Sequence, residues 1–322
     1  MLAGLGLSLS WACTPTPQTS SPPPVNPLYG ERLWVDPSST AARAAAKLRS
    51  SGHATDAKAL APITSQPVAT WLADDDVKSL AKRVVDAAED DDAVPVLVLY
   101  NRPQRDCGSY SSGGADDADE YREWVARLAG VIGDRRVVVV LEPDAVPQAL
   151  SGNCPTSAEE TYELLASAVT RLATNPNTLI YIDAGHPAWI ADTARLAEAL
   201  RRSGIAGADG FSLNVSNFHT DADNQAYGDQ LATELGGVQY VVDTSRNGAG
   251  AGDAAPGTID SWCNPPGAAL GKDPEIGPLR TFAVAGLWIK EPGASDGNCR
   301  TGEPAAGTFW FDYALRLIRQ RG

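Results

Sequence analysis

A run of five apolar residues at positions 137–141, VVVVL, constrains the fold of this chain more than any other stretch. Such a run, rich in β-branched residues, is typical of a strand buried on both faces, as in a parallel sheet. Glu142, Pro143 and Asp144 follow directly. Proline favours an extended backbone at the residue before it, so we expect the chain to leave the strand just before Asp144. An aspartate here either caps a turn or carries chemistry.

The same pattern recurs along the chain, because apolar segments alternate with helical segments almost throughout. Further strands are predicted at residues 33–37, 68–72, 94–100, 178–183, 210–215, 238–242 and 282–289. Strands that alternate with helices indicate repeated βαβ units and a parallel sheet, and so many units favour a closed barrel over an open sheet. No glycine-rich phosphate turn follows the early strands, which disfavours a nucleotide-binding fold.

Charge and cysteine usage exclude several classes of function. The net charge of −14 argues against a nucleic-acid partner, which requires a basic footprint. None of the five cysteines forms a CxxC pair and no HExxH motif occurs, so we expect no metal site. The four later cysteines could form two disulfides in any of three pairings, which would indicate an oxidising compartment.

The N-terminus supports export. Residues 1–12 are apolar and uncharged and are predicted to be a signal-peptide-like segment. Cys13 follows, and the arrangement is similar to that of a bacterial lipoprotein with a lipid anchor on Cys13. Residues 13–32, rich in Thr, Pro and Ser, are interpreted as an extended tether, and residues 33–322 as one catalytic domain. We therefore expect an extracellular protein, either secreted or anchored to the outer face of the cell membrane.

Carboxylates and aromatic side chains follow the predicted strands. In a parallel sheet all strand ends meet at one rim, and the residues there are Tyr100 with Asp106 just beyond it, Asp144, Asp183, Asp243 and, after the last strand, Asp296. Neighbouring carboxylates raise one another's pKa, which keeps an acid protonated near neutral pH. Two carboxyl groups in different environments are what glycoside hydrolysis requires.

Three tryptophans in the strand-end loops, Trp71, Trp189 and Trp262, are predicted to stack on sugar rings, although core packing is the commoner role of a tryptophan. Trp288 lies inside a strand and is assigned to the core. His186 is expected to hydrogen-bond substrate or a neighbour rather than act as a base.

Seven motifs, in order, resemble those of glycoside hydrolase family 6, which comprises cellulose-degrading endoglucanases and cellobiohydrolases: NRPQRDC, VVLEPD, YIDAGHPAW, NVSNF, VVDTSRNG, SWCNP and LWIKEPGASDGNC. The resemblance implies an α/β fold, a distorted seven-stranded (β/α) barrel of the TIM-barrel type in a single domain. It also implies hydrolysis of a β-1,4-glucan with inversion, with no cofactor.

Carried over motif by motif, the resemblance assigns the catalytic residues. Asp144 is the general acid, and Asp183 helps to keep that acid protonated. Asp106 is implicated in activating water through a water chain that involves Ser111, while Asp296 is the alternative base. Together with the tryptophans and His186 considered above, the predicted substrate-binding residues are Tyr100, Ser111, Trp71, His186, Trp189, Asn217, Trp262 and Lys290.

The resemblance also pairs Cys107 with Cys154 and Cys263 with Cys299. Both spans are short, which leaves no room for long loops that roof the cleft and favours the endoglucanase branch. One departure is Ala294, where the family commonly carries Glu, so we expect a missing hydrogen bond to substrate. Glu291, next to Lys290, is also unusual.

Two functions compete. The first is an endo-β-1,4-glucanase acting as a monomer on cellulose or a related β-glucan. The second is a cell-surface lipoprotein that binds β-glucan without cutting it. The retained aspartates favour the enzyme, because a binding protein has no need for a protonated acid.

Overall fold

The computed structural model describes residue 1 and residues 25–73, 77–152 and 154–321. The predicted signal-peptide-like segment, except residue 1, lies outside the described residues, as do Cys13 and the tether up to residue 24. Residues 26–28 already contact the sheet: Leu28 is fully buried, and Asn26 Nδ2 donates to the Val284 carbonyl at 2.9 Å. The last part of the predicted tether therefore packs against the domain.

One curled sheet of eight strands organises the described chain. Its strands are β1 (Thr70–Leu72), β2 (Val96–Leu99), β3 (Val137–Leu141), β4 (Thr178–Asp183), β5 (Gly210–Leu213), β6 (Gln239–Asp243), β7 (Glu275–Ile276) and β8 (Ala283–Leu287). The order is β1-β2-β3-β4-β5-β6-β8-β7, and every pair is parallel except β7 with β8. The prediction of a single α/β domain is confirmed, and its sheet is parallel except for β7.

The closed, seven-stranded barrel of the TIM type is not confirmed. An eighth strand, β7, has two residues and runs antiparallel. The segments beside β1 and β8 pair through an isolated bridge between Val68 and Trp288, and Trp71 Nε1 donates to the Ile289 carbonyl at 2.8 Å. Closure is weak because β1 has only three residues and because Pro67, before the bridge, has no amide to donate.

The strand predicted at residues 33–37 is wrong. Its only pairing is an isolated parallel bridge from Leu33 to Val94. Asp36 turns the chain instead, because its carboxylate accepts from the Ser38 amide and from the guanidinium of Arg83.

The described residues form eleven α-helices, several of which pack on the outer face of the sheet. They are α1 (Thr40–Ser50), α2 (Ala54–Ala59), α3 (Ala61–Thr64), α4 (Val77–Asp90), α5 (Ala118–Ile132), α6 (Ala145–Ser151), α7 (Ala158–Leu172), α8 (Thr193–Arg202), α9 (Asp221–Glu234), α10 (Ile259–Trp262) and α11 (Phe311–Arg319). Side-chain caps begin several of them: Asp117 accepts from two amides of α5, and Ser157 accepts from the Glu160 amide of α7. None of the described helices is long and apolar enough to cross a membrane.

The side chains of β3 pack alternately into two apolar clusters, one on each face of the sheet. Val137, Val139 and Leu141 pack into the cluster formed with the outer helices, while Val138 and Val140 belong to the cluster inside the curled sheet. Because successive side chains of a strand point to opposite faces, a strand covered on both faces must be apolar at every position.

Two disulfides close loops at the carboxyl ends of the strands. Cys107 is bonded to Cys154, and Cys263 to Cys299, with Cα atoms 4.8 and 6.5 Å apart. Both pairings are those that the family resemblance implies.

Candidate active site

The carboxyl ends of the parallel strands carry the site. β2 leads to Tyr100, β3 leads to Asp144, and β4 and β6 end at Asp183 and Asp243. The loop after β8 brings Asp296 to the same rim. This is the edge at which parallel α/β proteins place their chemistry.

A left-handed backbone turn places Asp144 directly after the end of β3. After β3, Glu142 and Asp144 have φ values of 47° and 70°, and α6 begins at the next residue. This conformation costs a non-glycine residue about 1–2 kcal/mol, and it brings the Asp144 amide to Asp183. That amide donates to Asp183 Oδ2 at 2.9 Å.

Asp144 and Asp183 form a coupled pair of carboxyl groups. Burial, followed by the neighbouring carboxylates of Asp183 and Asp106, raises the pKa of Asp144 well above its usual range. Burial also raises the pKa of Asp183 to about 6, against the hydrogen bonds that stabilise its charge. One of these comes from Ser212 Oγ, which donates to Asp183 Oδ1 at 3.0 Å. The pair therefore retains a proton at a pH where an exposed aspartate is ionised.

Asp106 lies in the loop that follows β2, next to the disulfide at Cys107. Its Oδ2 accepts from the Ser111 amide at 2.8 Å, and its Oδ1 accepts from Gln148 Nε2 at 3.2 Å. Burial raises the pKa of Asp106 despite these donors. The carboxylate is thus more basic than an exposed aspartate.

Asp296 has a different environment. Its Oδ2 accepts from Arg246 Nη1 at 2.9 Å and from the Asn264 amide at 3.0 Å, and Lys290 Nζ lies 3.5 Å from Oδ1. Arg246 is fully buried. Breaking such a pair would leave a buried charge uncompensated.

Asp243 was predicted at the rim but received no role. Its carboxylate accepts from four backbone amides, at 3.0 to 3.3 Å, which belong to Ser216, Ser245, Ile289 and Lys290. It therefore ties together the loops after β5, β6 and β8. The position of Lys290 depends on it.

Aromatic side chains line the cleft above the carboxylates. Trp71, Trp189 and Trp262 all border a cavity of about 450 Å³. Tyr100 lies edge-on to Trp71, with ring centroids 5.4 Å apart, and both also border a second cavity of about 610 Å³. The two cavities share Trp71, Tyr100, Ser111 and Lys290 in their linings.

Two histidines stack in the cleft, with ring centroids 4.5 Å apart. Burial, then the neighbouring His219, lowers the pKa of His186 to about 3, so the imidazole is neutral. His219 was not predicted to belong to the site. A neutral pair offers hydrogen bonds to hydroxyl groups without adding charge beside the acid.

The side chains of Glu142 and Glu291 stabilise the scaffold around the site. Glu142 is fully buried, and its carboxylate accepts from the amides of Asn101 and Arg102 at 2.9 and 3.2 Å, while burial raises its pKa to about 6. Glu291 Oε1 accepts from the Ala41 amide at 2.7 Å, in the first turn of α1.

The structure brings together eleven of the twelve predicted catalytic and substrate-binding residues along the cleft: Trp71, Tyr100, Asp106, Ser111, Asp144, His186, Trp189, Asn217, Trp262, Lys290 and Asp296. Asp183 lies behind Asp144 and is 1% exposed. Trp288, assigned to the core, is also 1% exposed. The prediction missed Gln148, Arg246 and His219, because their partners are remote in sequence and no local pattern marks them.

Carboxyl groups in different environments beside an aromatic-lined cavity are what glycoside hydrolysis requires. The profile of the family described as Glycosyl hydrolases family 6 matches residues 28–321. The chain belongs to this family.

Relatives agree with this membership. Endoglucanase 1 of Streptomyces halstedii is 38% identical over 99% of this chain and 97% of its own length. Endoglucanase A of Cellulomonas fimi is 38% identical over 89% of this chain, which spans 61% of that protein. Among solved structures, the endoglucanase Cel6 from Mycobacterium tuberculosis, in complex with methyl-cellobiosyl-4-deoxy-4-thio-β-D-cellobioside, has a TM-score of 0.84 at 38% identity, covering 92% of this chain and 99% of that one.

Proposed function

We propose that this protein is an endo-β-1,4-glucanase that cleaves internal bonds of cellulose or a related β-glucan with inversion of the anomeric carbon. The observation that carries the proposal is the contrast between two carboxyl groups. Asp144 is held protonated beside Asp183, whereas Asp106 accepts hydrogen bonds from Ser111 and Gln148 that favour its ionised form. Relatives named as endoglucanases support the choice of substrate and of internal cleavage.

In the proposed mechanism, Asp144 donates its proton to the leaving glycosidic oxygen. Asp183 raises the pKa of Asp144 before the reaction and holds the Asp144 backbone through the amide at 2.9 Å. Tyr100 and Trp71 lie beneath the donor sugar, and Trp189 and Trp262 stack on sugars farther along the cleft. The histidine pair and Asn217 bind hydroxyl groups.

Between the two candidate bases, we favour Asp106. The oxygens of Asp296 are already engaged by two cations, Arg246 and Lys290, and by the Asn264 amide. The pKa of Asp106 is raised by burial, so it accepts a proton more readily. We assign the attacking water to Asp106, with Ser111 as a second contact to that water. The role of Asp296 is then to keep Lys290 in place.

The stereochemistry of the first product tests the reaction. An inverting enzyme places water between base and sugar, with the carboxyl groups roughly 6.5–9.5 Å apart, whereas a retaining pair lies at about 5–5.5 Å. We expect proton NMR of early hydrolysis of a cello-oligosaccharide to show the α-anomer before mutarotation. A β-anomer as first product would overturn the mechanism and the roles of Asp106 and Asp144.

The same preparation tests internal cleavage. With carboxymethyl cellulose, an endo-acting enzyme lowers the viscosity steeply while few reducing ends appear. A viscosity that falls only in step with the reducing ends would contradict internal cleavage.

A further inference from the structure

The mechanism uses Gln148 only as a hydrogen-bond donor to Asp106, although its side-chain amide has a second partner. Gln148 lies on α6, four residues after Asp144, and its backbone amide donates to the Asp144 carbonyl at 2.9 Å. Residues four apart on a helix lie on one face, so the Gln148 side chain extends on the side of Asp144. It borders the cavity that holds the carboxylates.

The amide of Gln148 connects two charged groups. Its Nε2 donates to Asp106 Oδ1 at 3.2 Å, and its Oε1 accepts from Arg102 Nη2. A guanidinium can only donate, and an ionised carboxylate can only accept. The two partners therefore permit a single orientation of the amide, with the NH₂ group toward Asp106.

Arg102 is held firmly enough to orient this amide. It is 2% exposed, its Nη1 donates to the Pro103 carbonyl at 3.3 Å, and its backbone amide is bound by the buried Glu142. The ordering of Gln148 thus depends on a rigid guanidinium rather than on solvent. Arg102 has no other assigned function in the cleft.

We propose that Gln148 is a positioning residue. Its amide is oriented by Arg102, and it fixes the Asp106 carboxylate relative to α6, the helix that begins directly after Asp144. Asp106, the water-activating group, is then linked through the Gln148 side chain to the helical turn that follows Asp144, the acid. This inference rests on the proposed function, in which Asp106 activates water.

The pH dependence of the reaction carries the signature of this role. The base must be ionised, so the pKa of Asp106 sets the acid limb of the rate profile. The groups that act on Asp106 are the Gln148 amide and the Ser111 amide, the cations Arg102 and Arg105, and, on the other side, Asp144 and Tyr100. Losing the Gln148 donor removes a bond that favours the charged form, so the acid limb moves to higher pH.

The test uses Gln148→Met, which keeps the length and helix propensity of the side chain but removes both hydrogen bonds. We expect kcat to fall about 10-fold or more, with KM within about two-fold, and the acid limb to rise by roughly 0.5–1 pH unit. The loss should be equal for cello-oligosaccharides and for substrates with activated leaving groups, because the base is needed for both. Arg102→Lys, which keeps the charge but not the aligned donor, should show a smaller shift in the same direction.

Gln225→Met is the matched control. Gln225 is also a half-buried helical glutamine whose Oε1 accepts from an arginine, Arg280 Nε, at 3.2 Å, but it lies on α9, away from the cleft. It should leave the pH profile unchanged. An unchanged acid limb in Gln148→Met, or a loss confined to poor leaving groups, would overturn the positioning role.

Asp106→Ala separates this inference from the proposed function. If Asp106 is the base, Asp106→Ala is nearly inactive, and azide, a nucleophile that needs no base, restores turnover and gives an α-glycosyl azide. If Asp106→Ala retains wild-type activity, the part of the proposed function that makes Asp106 the base fails. If Asp106→Ala behaves as expected while Gln148→Met matches wild type, only the role of Gln148 fails.

Discussion

Three aspartates at one rim show how surroundings change the chemistry of a single residue type. Asp144 has a neighbouring carboxylate and a raised pKa, Asp106 has hydrogen-bond donors that only partly offset burial, and Asp296 has two cations. A neighbouring negative charge favours the acid form, while a neighbouring positive charge favours the carboxylate. The division of labour among them follows from these contacts.

The residue-scale prediction concerns Asp144→Asn. The amide cannot donate a proton to the leaving group, so we expect turnover of cellulose to fall by about 10²–10⁴-fold. The change is nearly isosteric, so binding of a non-hydrolysed oligosaccharide should be largely kept. The rates on cellulose and on a substrate with an activated leaving group, such as a dinitrophenyl glycoside, give the measurement.

The activated substrate is the internal control for Asp144→Asn, because its leaving group needs little protonation. Its hydrolysis should be reduced far less than that of cellulose. Near wild-type cleavage of cellulose by this variant, or equal losses on both substrates, would contradict the role of Asp144 as the acid.

At the scale of elements, the strands supply rigid ends and the loops supply the chemistry. β3 is buried along its whole length, so its end is a fixed point from which Asp144 projects. The loop after β2 is attached to this point twice: by Gln148, and by the disulfide from Cys107 to Cys154 beyond α6. Such attachments limit the movement of Asp106 relative to Asp144.

The element-scale prediction is that removing this disulfide weakens both folding and catalysis. The bridge spans 47 residues, and the double variant Cys107→Ser, Cys154→Ser should lower the free energy of unfolding by about 2–4 kcal/mol. It should also lower kcat, because the neighbouring Asp106 gains freedom. Urea denaturation and steady-state kinetics give the two values.

Cys263→Ser with Cys299→Ser is the companion variant, with a span of 36 residues and no bond to Asp106. It should lose similar stability, and its acid limb should keep its wild-type position. Equal stability of the wild type and the first double variant would contradict a structural role for the Cys107–Cys154 bridge.

At the scale of the whole molecule, the net charge and the predicted export segment bear on the substrate and on the location of the enzyme. The net charge of −14 suits a protein that acts on a neutral polysaccharide. Export, the lipid anchor and the monomeric state remain predictions. The tether would separate the cleft from the surface that holds the anchor.

The whole-molecule prediction is that Cys13 is the lipidated N-terminus of the mature protein. Mass spectrometry of the native protein from the membrane fraction should show Cys13 as the first residue, with the mass of attached acyl chains. Cys13→Ser should leave that fraction while keeping activity on soluble glucan. An unmodified Cys13, or a mature N-terminus elsewhere, would refute the anchor.

The alternation of strands and helices could be predicted from the sequence alone, and so could the position of the carboxylates at the strand ends. These features are local: an apolar run of β-branched residues is buried as a strand whatever its neighbours are, and parallel strands bring their ends to one rim. The motifs also identified Asp144, Asp183 and Asp106 before any contact was known. The incomplete closure of the sheet and the antiparallel β7 were not predicted, because they depend on how few pairs the terminal strands can form.

The partners and the burial of each carboxyl group, by contrast, depend on the tertiary structure. The pKa of Asp144 depends in part on Asp183, 39 residues away. Asp296 forms its ion pair with Arg246, 50 residues away. Burial and Coulomb interactions act through space, and they change steeply over a few ångströms, so sequence spacing cannot supply them. The same reason hid Gln148, since an ordinary glutamine on a short helix has a role only because the fold places Asp106 and Arg102 on either side of its amide.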